Sequence, residues 1–313
     1  MLKKLKDFIY NLPLIAQSIQ VLDRVKFPGF PEVSLLEVAH QFKESLTSSR
    51  ISMRAAAVSF NFFMAIFPGI IFLFTLTAYL PIDNFEARLL NALQQVLPPA
   101  SFMAVQNTIL DIVSQQRGGL LSIGVLVALF YAVSGVQSII SSFNASDVTS
   151  DNRPGWKVLL VSLLLTIVIV ILLVLAISLM IFTNLALEFL ISRELITYGI
   201  NYFFILVGKW IIFYSLILFS VSFLYYLGPP SASRTKFISI GSLATSFLMM
   251  LLILGFAFFV KNFGTYNTIY GSVGALIAVL VLINLNAIVL LAGFEFNVGV
   301  KHLARKAQNL TQQ

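Results

Sequence analysis

Residues 270–297 read YGSVGALIAVLVLINLNAIVLLAGFEFN, and no charge interrupts them until Glu295. About 20 apolar residues of helix cross the hydrocarbon core of a bilayer. The run is longer than a strand and lacks the alternation of a membrane β-barrel. A helix is the remaining way to satisfy every backbone group in lipid. Working outward, five further runs of this kind stand at roughly 57–80, 118–143, 157–183, 203–227 and 237–260, with the quoted one spanning roughly 272–296. The 313 residues are 58% hydrophobic and 11% charged, whereas a soluble domain carries about 25% charged residues. The expected fold is all-α: a polytopic bundle of six transmembrane helices, with an extracytoplasmic helical hairpin and N-terminal interfacial helices.

The basic residues sort to one side of these runs. Fifteen fall in the segment before the first run, in the 144–157 and 228–236 connections, and in the tail; four (Arg88, Arg117, Arg193 and Lys261) fall on the other side. Lys and Arg accumulate in cytoplasmic loops, so both termini are expected in the cytoplasm. An even number of spans requires the same. The N-terminus, MLKKLKDFIYNLPLIAQSIQ, lacks the clean apolar core of a cleaved signal peptide. The net charge of +7 gathers at membrane ends and predicts lipid headgroups as partners, with no nucleic acid. The chain has no cysteine and two histidines, His40 and His302. Disulfides, thiolate metal sites and a cysteine nucleophile are thereby excluded. No nucleotide-binding loop is present, and no cofactor is expected.

Three units follow. Residues 1–56 form a cytoplasmic or interfacial amphipathic segment, in which SLLEVAHQFKESL sets Leu35, Leu36, Ala39, Phe42 and Leu46 on one helical face. FPGFP (27–31) is a rigid break between two such helices. Residues 57–297 form the six-helix bundle, including a helical hairpin at 81–117. That hairpin either covers the bundle or offers a lid or partner surface. Residues 298–313 form a cytoplasmic tail. No internal repeat is evident.

Several residues stand out inside the spans. Pro68 removes a backbone bond near the middle of the first and predicts a kink, which Gly69 deepens. Asn61 lies about two turns before it. Gly271 with Ala275, and Gly274 with Ala278, are small-xxx-small pairs suited to close packing. Asn284 falls near the midplane, followed by Asn286. Ser134, Gln137, Ser138 and Ser142 make a polar stripe on the second helix. Asn61, Gln137, Ser138, Lys209 and Asn284 are the candidates for an intramembrane polar path, and a hydrogen-bonded core is the equal alternative. Lys209, beside Trp210, is the one basic residue well inside a span, and its stem can snorkel outward. Glu295 falls where the sixth apolar run ends, and a carboxylate at a helix C-terminus opposes the macrodipole. It is expected to pair with Arg54 or Arg153, with Arg234 at the same depth. Such an ion pair is either an interhelical clamp, or a gate or headgroup site whose pair opens in the cycle.

LYYLGPP (224–230) and the sequence from Ile238 to Asn297 resemble the YihY/BrkB family of bacterial inner-membrane proteins. The matching residues are Tyr226, Leu227 and Pro229, then Tyr270 and Gly271, then Gly293, Glu295 and Asn297 of the G-x-E-x-N end. Ala55 to Ala57, Ser59, Phe60, Phe67 and Pro68 resemble the family's first helix, and Arg153, Pro154 and Trp156 its RP-x-W connection. The resemblance covers about 45–300. Two departures are LINLN, where the family often has tryptophan, and the extra Gly228. The resemblance implies six spans, cytoplasmic termini, the bacterial inner membrane, and a part in envelope integrity or lipid handling. Some members carry the label ribonuclease BN, which the absence of clustered His, Asp or Glu does not support. A transporter or lipid translocator is the leading expectation. A scaffold binding envelope proteins is the alternative, and an intramembrane enzyme ranks last.

Overall fold

A computed structural model of the chain describes residues 26–27, 30–34, 49–77, 106, 118–145, 153–193, 200–230, 236–262 and 264–311. Six helices carry it: α1 (Ser49–Thr77), α2 (Gly118–Asn144), α3 (Gly155–Ser192), α4 (Ile200–Leu227), α5 (Ile240–Asn262) and α6 (Gly264–Thr311). Each contains a stretch long and apolar enough to cross a membrane. The protein is an all-α, multi-pass membrane protein.

Each helix packs on the next in chain order, and α6 closes the ring on α1 while also touching α2. Successive helices run in opposite directions, so the start of α1 meets the end of α2 and the late part of α6. The well-buried core sits at that end. It comprises Ile51, Ala55 and Val58 of α1, Ile139, Ile140 and Phe143 of α2, Leu224 and Tyr225 of α4, and Leu290 to Phe294 of α6. Phe143 stacks on Phe294 with ring centroids 3.9 Å apart, and Tyr225 meets both edge-on at 5.7 and 5.6 Å. Farther along, large apolar side chains face outward, among them Leu126, Phe130, Ile171, Phe182, Phe204 and Phe258. In water that surface would be a liability; in a bilayer it is the lipid face. α3 is apolar all round, as a membrane span is. Its 38 residues make about 57 Å of helix, longer than the roughly 40–45 Å of a bilayer with its headgroups.

Two expectations are corrected. FPGFP is not a break between helices: Lys26–Phe27 (β1) and Phe30–Ser34 (β2) pair as an antiparallel ribbon, with Phe27 opposite Phe30. β2 lies against α6. The second correction concerns α6, which continues past Glu295 to Thr311. Glu295 is therefore inside a helix rather than at its C-terminus, and the helix-dipole argument about it fails. Hydropathy ends near residue 297, but helicity needs no apolar side chains, and VKHLARKAQ supplies good helix formers. The expected interfacial helix at 34–46 and hairpin at 81–117 lie outside the described residues, apart from Ser34, which ends β2, and Gln106.

Candidate functional site at the basic end

The turn GFEFN of α6 works in two directions. Gly293 and Asn297, four residues apart, share a face turned to α5. Glu295 lies about 200° around the helix from Gly293 and faces α1. A Cβ on Gly293 would fall on Thr245 Oγ1 and 2.6 Å from the Tyr225 hydroxyl. One turn on, a Cβ on Gly241 would stand 2.7 Å from Asn297 Cβ. Only hydrogen at these two positions lets α5 and α6 come this close. Into that contact Tyr225, wholly buried, donates to Leu290 O at 2.7 Å and lies 3.0 Å from Thr245 Oγ1. Asn297 Nδ2 donates to Ser239 Oγ at 2.9 Å. Ser239 is the N-cap of α5: its Oγ accepts from Ser242 N, and Ser242 Oγ accepts from Ser239 N. This reciprocal arrangement satisfies two orphan donors, and α6 fastens onto it.

Arg54 stands on the first turns of α1. Its Nη1 donates to Glu295 Oε1 at 3.3 Å and to Ser142 O at 3.4 Å, and its Nη2 donates to Ala145 O at 2.7 Å. The two carbonyls belong to the end of α2, where the macrodipole is negative and carbonyls lack helical partners. A single guanidinium therefore ties α1, α2 and α6 together. Arg153 acts similarly elsewhere: its Nη2 donates to Gly228 O at 2.7 Å, fastening the start of α3 to the end of α4. A Cβ on Gly228 would stand 2.5 Å from Leu224 O and 3.3 Å from the Phe143 ring, which gives that departure from the family pattern a packing reason. Arg234 lies outside the described residues.

Beside Arg54 a cleft of about 440 Å³ runs between α1 and α2, lined by Arg54, Ala57 and Asn61 on one side and by Ser134, Gln137, Ser138, Ser141, Ser142 and Ala145 on the other. Phe60, beside Asn61 in sequence, and Phe130, one turn before Ser134, are exposed. Asn61 Nδ2 donates to Ser138 Oγ at 2.9 Å. Ser134, Ser138 and Ser142 each spend their hydroxyl proton on a carbonyl four residues back. The Gln137 amide makes no hydrogen bond to any described residue. The apolar span of α1 begins at Arg50 and that of α2 ends at Asn144. Asn61 and Ser134 thus lie about 15 Å inside the membrane at 1.5 Å per residue, near mid-depth.

The other candidates are elsewhere. Asn284 Nδ2 reaches Ser59 Oγ at 3.3 Å, joining α6 to a different face of α1. Lys209 does not line the cleft; its ammonium lies 5.7 Å from the Trp210 ring centroid. Pro68 sits within a continuous α1, about two turns beyond Asn61 and outside the cleft's lining. Sequence reasoning missed Ala57, Ser141 and Ala145, and it missed Tyr225 with Thr245. Ser141 stands three residues after Ser138 and four after Gln137, so helical spacing could have added it to the stripe. Nothing local marks Thr245.

Among the described residues no group of three His, Cys, Asp or Glu side chains is placed to hold a metal ion. Residues 42–313 match the family described as virulence factor BrkB. YfkH of Bacillus subtilis (strain 168), whose name describes it as ribonuclease-like, is 28% identical over 251 residues, 78% of this chain and 88% of its own length. No solved structure matches the chain. The six-helix architecture, the G-x-E-x-N turn at the contact of α6 with α5 and α1, and a match over most of its length place this chain in the BrkB virulence-factor family.

Proposed function

We propose that the protein is a translocator of amphipathic molecules, lipids foremost, in the bacterial inner membrane, with both termini in the cytoplasm. The observation that supports this is the cleft between α1 and α2. It carries amides and hydroxyls from headgroup level to about mid-depth in a region otherwise made of hydrocarbon-facing side chains. An uncommitted amide in an apolar medium costs several kcal/mol. Gln137 therefore needs water or a headgroup to reach it, and a groove that admits a headgroup halfway across lowers the barrier to moving it. The described lining holds amides, hydroxyls and one guanidinium, groups suited to holding a headgroup.

Purified protein in liposomes should move fluorescently labelled phospholipid between leaflets. Gln137→Leu and Asn61→Leu together should slow that movement by about tenfold or more, the scale of losing one or two polar contacts of about 1 kcal/mol each. Inactivity of the unaltered protein across a broad lipid panel would count decisively against translocation.

Orientation has a separate test. The natural chain has no cysteine, so a single cysteine introduced at Gln313 is the only thiol. It should react with a membrane-impermeant maleimide only after the inner membrane of spheroplasts is opened. Labelling in intact spheroplasts would reverse the topology.

A further inference from the structure

We infer that the cleft recognises the phosphate of an anionic lipid headgroup through Arg54, with Glu295 as the built-in competitor that the phosphate displaces. The inference rests on the reading of the cleft as the translocation site and names its substrate class. A guanidinium has five N–H donors. Three are engaged, with Ser142 O, Glu295 Oε1 and Ala145 O, which leaves two without a partner among the described residues. The Gln137 amide and the Ser141 hydroxyl, both lining the cleft, are uncommitted as well. Ser134, Ser138 and Ser142 have already given their protons to backbone carbonyls. The free donors in the cleft beside Arg54 are thus its two remaining N–H groups, the Gln137 amide hydrogens and the Ser141 hydroxyl, and one of these groups is a fixed cation.

Phosphate oxygens are acceptors, and guanidinium binds them with short charge-assisted bonds. The bond to Glu295 is long at 3.3 Å, against 2.7 Å to Ala145 O. A dianionic or monoanionic phosphate can replace the carboxylate while the α2 carbonyls keep the arginine in place. The source is a lipid because of depth. Arg54 lies four residues into a span that begins at Arg50, about 6 Å, where headgroup phosphates meet hydrocarbon. Met53 and Phe60 on the same turns of α1 are exposed and offer apolar surface to acyl chains.

The test uses the full chain in phosphatidylcholine nanodiscs, with phosphatidylglycerol titrated and bound lipid read by native mass spectrometry. Glu295→Gln removes the competitor and should tighten phosphatidylglycerol binding about tenfold, the scale of one freed charge-assisted bond. Arg54→Gln should reduce binding to the level of phosphatidylcholine. Gln137→Leu touches no described hydrogen bond and should weaken binding severalfold with an unchanged melting temperature, which separates recognition from folding. Glu295→Gln binding no tighter than the unaltered protein would overturn the inference. So would equal retention of phosphatidylcholine by all variants. Inorganic phosphate bound as tightly as the lipid would overturn the lipid source. Translocation without the Glu295 dependence removes this inference and leaves the proposed function standing; binding with that dependence and no translocation does the reverse.

Discussion

Gly293→Ala should destabilise the bundle by about 2–3 kcal/mol, the upper part of the range for adding a methyl group to a filled core. The added carbon would coincide with Thr245 Oγ1 and stand 2.6 Å from the Tyr225 hydroxyl and 3.1 Å from Thr245 Cβ. Neither neighbour has room to turn aside. Tyr225 and Thr245 are both 0% exposed, and the tyrosine ring is fixed edge-on against Phe143 and Phe294. Its hydroxyl proton goes to Leu290 O, so Thr245 supplies the proton between the two hydroxyls. Relief requires breaking that buried bond or moving α6 away from α5. Moving α6 also disturbs the contact of Asn297 with Gly241 and with the cap at Ser239. Thr245→Ala should partly restore stability in the Gly293→Ala background, with a coupling of about 1 kcal/mol or more in a double-mutant cycle. SDS-induced unfolding in mixed micelles, followed by circular dichroism, reads all four proteins. Gly208→Ala and Gly255→Ala meet nothing within 4 Å and should be neutral or slightly stabilising through helix propensity. A Gly293→Ala protein as stable as these two controls would refute the close approach of α5 and α6.

The contrast between what was legible and what was not follows from the range of each signal. Hydropathy adds up over some twenty residues, so the six spans stand clear of noise in the sequence. Charge at the ends of spans is also local, which is why Arg54, Arg153 and Arg234 could be shortlisted at the depth of Glu295. Choosing among them needed the neighbour order of the helices. α6 lies beside α1, a fact that no single span encodes, and Arg54 is consequently the arginine at 3.3 Å. Helix ends were misread where polarity was taken for the end of a helix: α1 begins at Ser49 and α6 runs to Thr311, both beyond the apolar residues. The resemblance drew attention to Tyr226, yet its neighbour Tyr225 holds the α5–α6 contact, because a helical face is decided by its packing partners. For the polar stripe of α2, the pattern showed a polar face. Only the packed helices show that it splits, with Asn61 and Ser138 bonded to each other and Gln137 left open to the cleft.

Reversing charge at Arg54 is expected to have the largest electrostatic effect in the molecule, and exchanging the two charges should mend only part of it. Arg54→Glu sets a second carboxylate beside Glu295 and turns a negative group toward the carbonyls of Ser142 and Ala145. Breaking a fully buried pair costs about 3–5 kcal/mol. These side chains retain 22% and 26% of their exposure, so about 2–3 kcal/mol is the reasonable scale after discounting for screening. The double variant Arg54→Glu with Glu295→Arg restores opposite charges between α1 and α6. It still faces a carboxylate toward the C-terminus of α2, where a cation is favoured by up to about 1–2 kcal/mol. Recovery should therefore be about half. Glu295→Gln alone should cost about 1 kcal/mol or less, since Arg54 keeps both carbonyl bonds. The predicted order of stability is unaltered protein, Glu295→Gln, charge exchange, Arg54→Glu, read by SDS titration at low and high salt. Complete recovery by the exchange would show that the arginine serves only its partner on α6. No recovery would show that closing the end of α2 is its whole structural task. The intermediate result is what one guanidinium shared among three helices requires.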